Sequence, residues 1–329
     1  MVSKKPKALV LFSGGLDSIL AMKVVMKQGV EVEAVHFVTP FSKDSEVAEK
    51  FCEEAGVKLH KIFLGQDYLD MIVNPKHGYG SQMNPCIDCR IFTFKKAKKL
   101  AEKIGADFLV TGEVLDERPF SQRKEAMMLI EREATLEGKI LRPLSAKLLP
   151  ESEPEKRGFI DRQKLYAIRG KKRTPQIKLA KKLGIDNYPN PSGGCLLTDP
   201  AFAKRLREHL EHNGKLSLLD VDLLKIGRHF RIGRCKVVVG RNEEENKKLL
   251  RMADEHAIPY MKVEEYMGPI TLILGDLDSE TKRMAAAITA RYSDAPSDGI
   301  VKVRYVVSEA MQILETKPIR DAQLRRFLI

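Results

Sequence analysis

A chain of 329 residues is long enough for two or three domains whose cores need no covalent staples, so no disulfide scaffold is required, and five cysteines, an odd count, favour a reducing, intracellular compartment. The formal charge of +12, from 57 Lys and Arg against 45 Asp and Glu, favours polyanionic partners without separating RNA from DNA, although the dense surface charge of a thermophile accounts for it as well. No apolar run approaches the ~18 residues of a membrane span, and the start "MVSKKPKALV" lacks the long apolar segment of an export signal, so a cytoplasmic protein with no membrane partner is expected.

In chain order, "KALVLF" (7–12) reads as a short buried strand, and a helix begins near Asp17. "VEVEAVHFV" (30–38) is a second strand, "SEVAEKFCEEAG" a helix, and "VKLHKIFL" (57–64) a third strand. The loop "NPKHGYGSQMNP" leads to a helix over Ile87–Gly105 with an apolar stripe of Ile91, Phe94, Ala97, Ala101 and Ile104, and "ADFLVTGEV" is a strand followed by a loop. Such alternation predicts an α/β fold, a mostly parallel sheet flanked by helices. From Lys156 to Lys182 the chain carries eleven Lys or Arg and one Asp. That segment suits a phosphate backbone, with Arg162, Lys164, Arg169, Lys171, Lys172 and Arg173 as the RNA-binding candidates, or simply a solvated helical face. A domain boundary is expected between 205 and 220, giving units of about 1–210 and 211–329. The second is a smaller α/β domain built from "KVVVGRNEEENKKLLRMADEHAI" and "ITLILGDLDSETKRMAAAITARYS", ending in the strand "VKVRYVVSE".

Between the first strand and helix stands "SGGLDS". Gly14 and Gly15 permit a tight turn and close approach of a ligand, and the unpaired amides of the helix start favour phosphate. Ser13 and Ser18 offer hydroxyls. Asp17 is a first-turn acid that would repel a polyphosphate unless a cation such as Mg²⁺ intervenes. Neither the Walker A pattern nor the three-glycine dinucleotide fingerprint is present.

"NPCIDCR" sets Cys86 and Cys89 at CxxC spacing on a helix entry, where the dipole and Arg90 favour thiolates. Cys195 lies far along the chain in "PSGGCLLTDP", after a glycine pair. Three thiols leave one position open on a [4Fe–4S] cluster or on zinc, and equally allow a persulfide relay resolved as a disulfide. Cys52, on the periodic face of a helix, and Cys235, beside "KVVV", read as inert core residues.

"SGGLDS" between strand and helix resembles the signature of the PP-loop ATP pyrophosphatase superfamily, whose members transfer AMP from ATP and release pyrophosphate. Taken with "NPCIDC", "TGEVLDERPFSQ" and "PSGGCLLTDP", the chain over roughly residues 5–210 is similar to the tRNA thiouridine synthetases, in their 2-thiouridylase and 4-thiouridine branches. In the persulfide-using 2-thiouridylases the first position of the CxxC-like motif is aspartate; here it is Cys86, a departure that brings the chain nearer to thiolases with a three-cysteine iron–sulfur site. The resemblance implies ATP, Mg²⁺ and a [4Fe–4S] cluster as cofactors and tRNA as substrate. It also implies a uridine carbonyl oxygen that is adenylated, then replaced by sulfur at Cys86, Cys89 and Cys195, with sulfide or a sulfur-donor protein as the source. Asp17 would assist attack on the α-phosphorus. His36, Phe37, Thr111 and Gly112, with Glu113, would border the adenosine at the carboxyl ends of the strands. The tail resembles, weakly, a small RNA-binding domain of ribosome quality-control factors, and is expected to dock RNA or to form a homodimer. Two competing readings remain: a small-molecule adenylase of the same fold, and a non-catalytic RNA-binding protein.

Overall fold

The computed structural model describes residues 5–42, 46–188 and 195–329. They form two compact units, Met1–Asp199 and Pro200–Ile329. The division falls ahead of the 205–220 window read from the sequence, because the helix beginning at Pro200 turns Glu208 toward Arg231 (2.5 Å) and Lys236 (2.9 Å) of the second unit. Among the described residues no helix is long and apolar enough to cross a membrane.

The first unit runs β1 (Lys7–Leu11), α1 (Leu16–Met26), β2 (Glu31–Val38), α2 (Glu46–Glu54), β3 (Lys58–Phe63), α3 (Gln66–Val73), α4 (Cys86–Ile104), β4 (Phe108–Thr111), α5 (Lys124–Glu133), β5 (Ile140–Leu141), α6 (Glu153–Lys156) and α7 (Thr174–Leu183). The five strands form a parallel sheet in the order β3-β2-β1-β4-β5. Alternation along β1 explains its two-sided burial. Ala8 and Val10 face one core with α1, while Leu9 and Leu11 face another with Ile91, Phe94 and Ala97 of α4. Unlike a surface helix, α1 is buried on nearly every side, from Leu16 through Val25. Its outer side is covered by Leu179 and Ala180 of α7, within the segment whose basic residues drew attention in the sequence.

The second unit comprises α8 (Pro200–Asn213), α9 (Leu218–Lys225), β6 (Arg228–Ile232), β7 (Cys235–Val239), α10 (Glu243–His256), β8 (Tyr260–Val263), β9 (Thr271–Leu274), α11 (Ser279–Arg291), β10 (Val301–Val307), β11 (Ala310–Thr316) and α12 (Asp321–Leu324). Its six strands, in the order β11-β10-β8-β9-β7-β6, are all antiparallel. The expected strand and helix pairs are present, but neither closes a parallel crossover. Val237 and Val239 pack toward Ala285 and Ile288 of α11, and Val238 toward Leu249 and Ala253 of α10, so helices cover both faces. Cys52 and Cys235 are both buried, each 1% exposed.

Candidate active site

The chain leaves β1 toward β2 on one side of the sheet and enters β4 on the other, so the sheet order reverses between β1 and β4. At such a point the two loops beyond the strand ends separate and a crevice opens. Leu11 pairs with Thr111 in register, which sends the loops that follow, "FSGG" and "GEVL", out side by side. They touch at one place that only glycine allows. A Cβ on Gly112 would lie 2.5 Å from the Asp17 carbonyl carbon, 2.6 Å from the Ser18 nitrogen and 2.7 Å from the Asp17 oxygen. Gly14 takes φ +74°, and Gly15 caps α1 with φ −77° and no side-chain cap, leaving the first amides of α1 without a side-chain partner. Ser18 Oγ donates to the Gly15 carbonyl (2.8 Å), and Ser13 Oγ stands 3.3 Å from Ser18 Oγ. Two hydroxyls and a bare helix start therefore line one small cradle.

Beside it, Asp17 is held above the usual carboxylate range by burial, opposed by the charges of Arg173 and Arg118 and by the Gln176 amide. Arg173 Nη2 lies 3.8 Å from Asp17 Oδ2, while Asp17 Oδ1 is buried without a hydrogen bond among the described residues. An unmatched carboxylate oxygen next to a phosphate cradle suits a hard cation such as Mg²⁺ arriving with a nucleotide. Glu117 is likewise raised, by burial and then by the charge of Asp17.

Glu113 has a structural role. It is buried between Arg142 Nε (3.0 Å) and Arg90 Nε (3.2 Å), Arg142 also pairs with Glu131, and the Glu113 amide donates to Thr111 Oγ1 (3.0 Å). This chain of charges ties β4 and β5 to α4, the helix that carries the CxxC pair. His36 is buried with Nδ1 2.8 Å from the Phe12 carbonyl oxygen, and Phe37 packs against the α4 core.

The CxxC pair stands on the first turn of α4, with Pro85 as N-cap. Asp88 accepts from the Lys76 and His77 amides, which folds the preceding loop onto that turn. Asn84 donates from Nδ2 to Cys86 Sγ (3.2 Å), and the Tyr68 hydroxyl lies 3.1 Å from Cys89 Sγ. Cys195 is anchored by the Leu196 amide bonded to the Phe41 carbonyl (3.1 Å). Its thiol is pushed up to about 11 by burial and by the charges of Cys89 and Cys86, against the pull of Arg118. All three sulfurs bear on the Tyr68 hydroxyl, which burial raises well above its ordinary value. The structure thus brings the three thiols into one neighbourhood, and their donor chemistry is that of a cluster or soft-metal site. Among the described residues, however, no three His, Cys, Asp or Glu side chains are gathered as ligands of a single ion. The glycine pair Gly193 and Gly194 lies outside the described residues.

Arg118 is a minor electrostatic influence on both halves. Its charge acts on Asp17 at the glycine loop and on Cys89 and Cys195 among the thiols. The basic segment is divided in its uses. Arg162 bonds Glu155 and the Ala146 and Leu149 carbonyls, Arg169 pairs with Asp116 (2.6 Å), and Arg173 turns to Asp17; Lys164, Lys171 and Lys172 remain at the surface. Tyr68, Asn84, Arg118 and Gln176 were not singled out in the sequence. Arg118 sits inside the recognisable "TGEVLDERPF" and Asn84 opens "NPCIDC", but no local pattern marks Tyr68 or Gln176.

Residues 3–147 match the family described as Thiamine biosynthesis protein (ThiI), and residues 227–328 match the NFACT protein RNA binding domain. A tRNA-specific 2-thiouridylase MnmA of Syntrophotalea carbinolica is 32% identical over 125 residues, 34% of this chain and 36% of that protein. A tRNA sulfurtransferase of Desulfurococcus amylolyticus is 32% identical over 142 residues, 42% of this chain and 29% of that protein. The chain therefore spans about a third of the length of these curated relatives. The solved U34-tRNA thiolase NcsA of Methanococcus maripaludis, with its [4Fe-4S] cluster, is 18% identical over 68% of this chain and 72% of that one; at a TM-score of 0.32 the superposition carries no argument. Over part of its length the chain is thus similar to tRNA thiouridylases and sulfurtransferases, and over residues 3–147 to the ThiI family.

Proposed function

We propose that this chain is an ATP-dependent tRNA sulfurtransferase that replaces a uridine carbonyl oxygen with sulfur in the cytoplasm. The oxygen of a carbonyl is a poor leaving group, so the reaction needs activation and sulfur delivery in one crevice. In the first step the uridine oxygen attacks the α-phosphorus of ATP and pyrophosphate departs. The Ser13–Ser18 cradle and the start of α1 hold the phosphates, and Asp17 carries the accompanying Mg²⁺. Arg118 stabilises charge that develops between the cradle and the thiols. In the second step sulfur held among Cys86, Cys89 and Cys195 adds to the activated ring carbon, and the bond from that carbon to the AMP oxygen breaks. Cys86, Cys89 and Cys195 would also be the residues to hold a [4Fe–4S] cluster, which when bound supplies an open iron for sulfide. Tyr68 and Asn84 orient two of these sulfurs, and a stacked uridine must be flipped out to reach them.

The reading is carried by one observation above all: the loop after β4 touches the glycine-loop helix start at Gly112 and, one residue on, pairs Glu113 with Arg90 (3.2 Å) beside Cys89, so the cradle and the CxxC turn are held by the same loop. The second unit, with its match to an RNA-binding family, would bind the tRNA. The test is anaerobic incubation of the purified chain with ATP, Mg²⁺, sulfide and tRNA, followed by mass spectrometry of the nucleosides. Thiouridine should form with wild type and be lost with Cys195→Ala, while ATP binding persists. Unchanged thiolation by Cys195→Ala would defeat the proposal. tRNA binding that does not weaken with salt would count for the small-molecule reading.

A further inference from the structure

The glycine cradle is faced by a second helix entrance. α7 begins at Thr174 with Arg173 as N-cap, Pro175 in its first turn and no side-chain cap, so its leading amides are unmatched by side chains as well. Arg173 reaches Asp17 in the first turn of α1, which brings the positive ends of two helices to one place. In the same turn of α7, Gln176 is 0% exposed, yet neither its Oε1 nor its Nε2 has a hydrogen bond among the described residues. Its amide acts on Asp17 as a weak hydrogen-bond donor that lowers the carboxyl, but no Gln176 side-chain atom reaches full hydrogen-bond geometry. Arg173 Nε and Asp17 Oδ1 are buried and unpartnered too.

A buried amide with no partner destabilises the chain that carries it, and an apolar residue would fill the same space without that cost. Orphaned donors from an arginine and a glutamine, at the starts of two helices, suit the oxygens of a polyanion, with Gln176 Oε1 left to accept from the water that accompanies it. We infer that Arg173, Gln176 and the first turn of α7 form the subsite for the part of ATP that leaves as pyrophosphate. This rests on the nucleotide reading above. Arg173 and Gln176 Nε2 donate to phosphate oxygens, and the accompanying cation draws Asp17 away from Arg173. Arg173 then belongs to the nucleotide and not to the RNA backbone, where its sequence neighbours had placed it.

The experiment is Gln176→Met, close in volume but without the amide, measured by calorimetric titration with Mg·ATP, Mg·pyrophosphate and AMP, and by thermal unfolding without ligand. The variant should bind ATP and pyrophosphate at least tenfold more weakly and bind AMP as wild type does. Its ligand-free midpoint should equal or exceed that of wild type. A lower midpoint with all three affinities intact would overturn the inference, because Gln176 would then be a satisfied core residue. Equal weakening of AMP would overturn the assignment to the pyrophosphate end. Should wild type bind neither ATP nor pyrophosphate, the nucleotide reading itself falls. If Gln176→Met does not fold, Arg173→Gln at its partly exposed position carries the same comparison.

Discussion

The close approach of Gly112 to the start of α1 separates residues needed by the fold from residues needed by the ligand. In Gly112→Ala the new methyl would meet three backbone atoms of Asp17 and Ser18 at 2.5–2.7 Å. None of these can rotate away, and α1 is locked by burial on nearly all sides, so the loop after β4 or the start of α1 must move. Overpacking of this kind costs about 1–3 kcal/mol, and the backbone nature of every contact places Gly112→Ala near ~3 kcal/mol. Gly15→Ala is the control. Its Cβ would meet only Ser13 Oγ at 3.5 Å, and φ −77° suits any residue. Replacing an N-cap glycine by alanine should cost only about 0.5 kcal/mol. Its methyl, however, stands in the cradle where a phosphate would approach. Urea unfolding and Mg·ATP titration of both variants should therefore give opposite profiles. With a slope of roughly 2–3 kcal/mol/M, Gly112→Ala should lower the urea midpoint of its unit by about 1 M. Gly15→Ala should keep its midpoint and lose at least tenfold in ATP affinity. A Gly112→Ala protein within about 0.5 kcal/mol of wild type, beyond the range assigned to overpacking, would refute the steric reasoning. A Gly15→Ala protein that binds ATP normally would refute the cradle.

Arg142 is 3% exposed and serves Glu113 and Glu131 together, so Arg142→Met leaves buried carboxylates facing one another and should destabilise the first unit by about 3–5 kcal/mol; adding Glu113→Gln and Glu131→Gln should recover most of that loss in chemical denaturation. In the second unit, His229 is depressed to about 3 by burial and then by the charges of Lys236 and Arg205. The folded state refuses a proton that the unfolded state takes up near pH 6.5, so stability is full above that pH and falls as the pH drops toward 3, by about 1.4 kcal/mol per unit for this group. The difference in unfolding free energy between wild type and His229→Gln should show this slope between about pH 6 and 4, and a difference independent of pH would contradict it.

The α/β character, the three strands before residue 64 and the glycine turn were legible because their signals are local. Short apolar runs, helical stripes and a turn needing glycine need only neighbouring residues. The antiparallel sheet of the second unit was not legible, since a strand followed by a helix reads alike whether the next strand returns parallel or antiparallel, and only pairings such as Val237 with Ile273 decide it. The basic stretch around Arg173 was legible only as charge, for a related reason. Charge marks a residue for solvent or phosphate, but it cannot tell which phosphate, and the packing of Leu179 and Ala180 against α1 turns Arg173 inward.

What the sequence determined alone was therefore chemical inventory and local geometry: a glycine-rich turn between strand and helix, three separated thiols, and the glycines that permit close approach. What the tertiary structure decided was who meets whom. The sheet order reversing between β1 and β4 sets Gly112 against Asp17. The docking of α7 supplies Gln176, and burial beside Tyr68 gathers sulfurs more than a hundred residues apart. Contacts across such separations depend on which apolar faces pack together, and that depends on the whole core at once, not on the residues that do the chemistry.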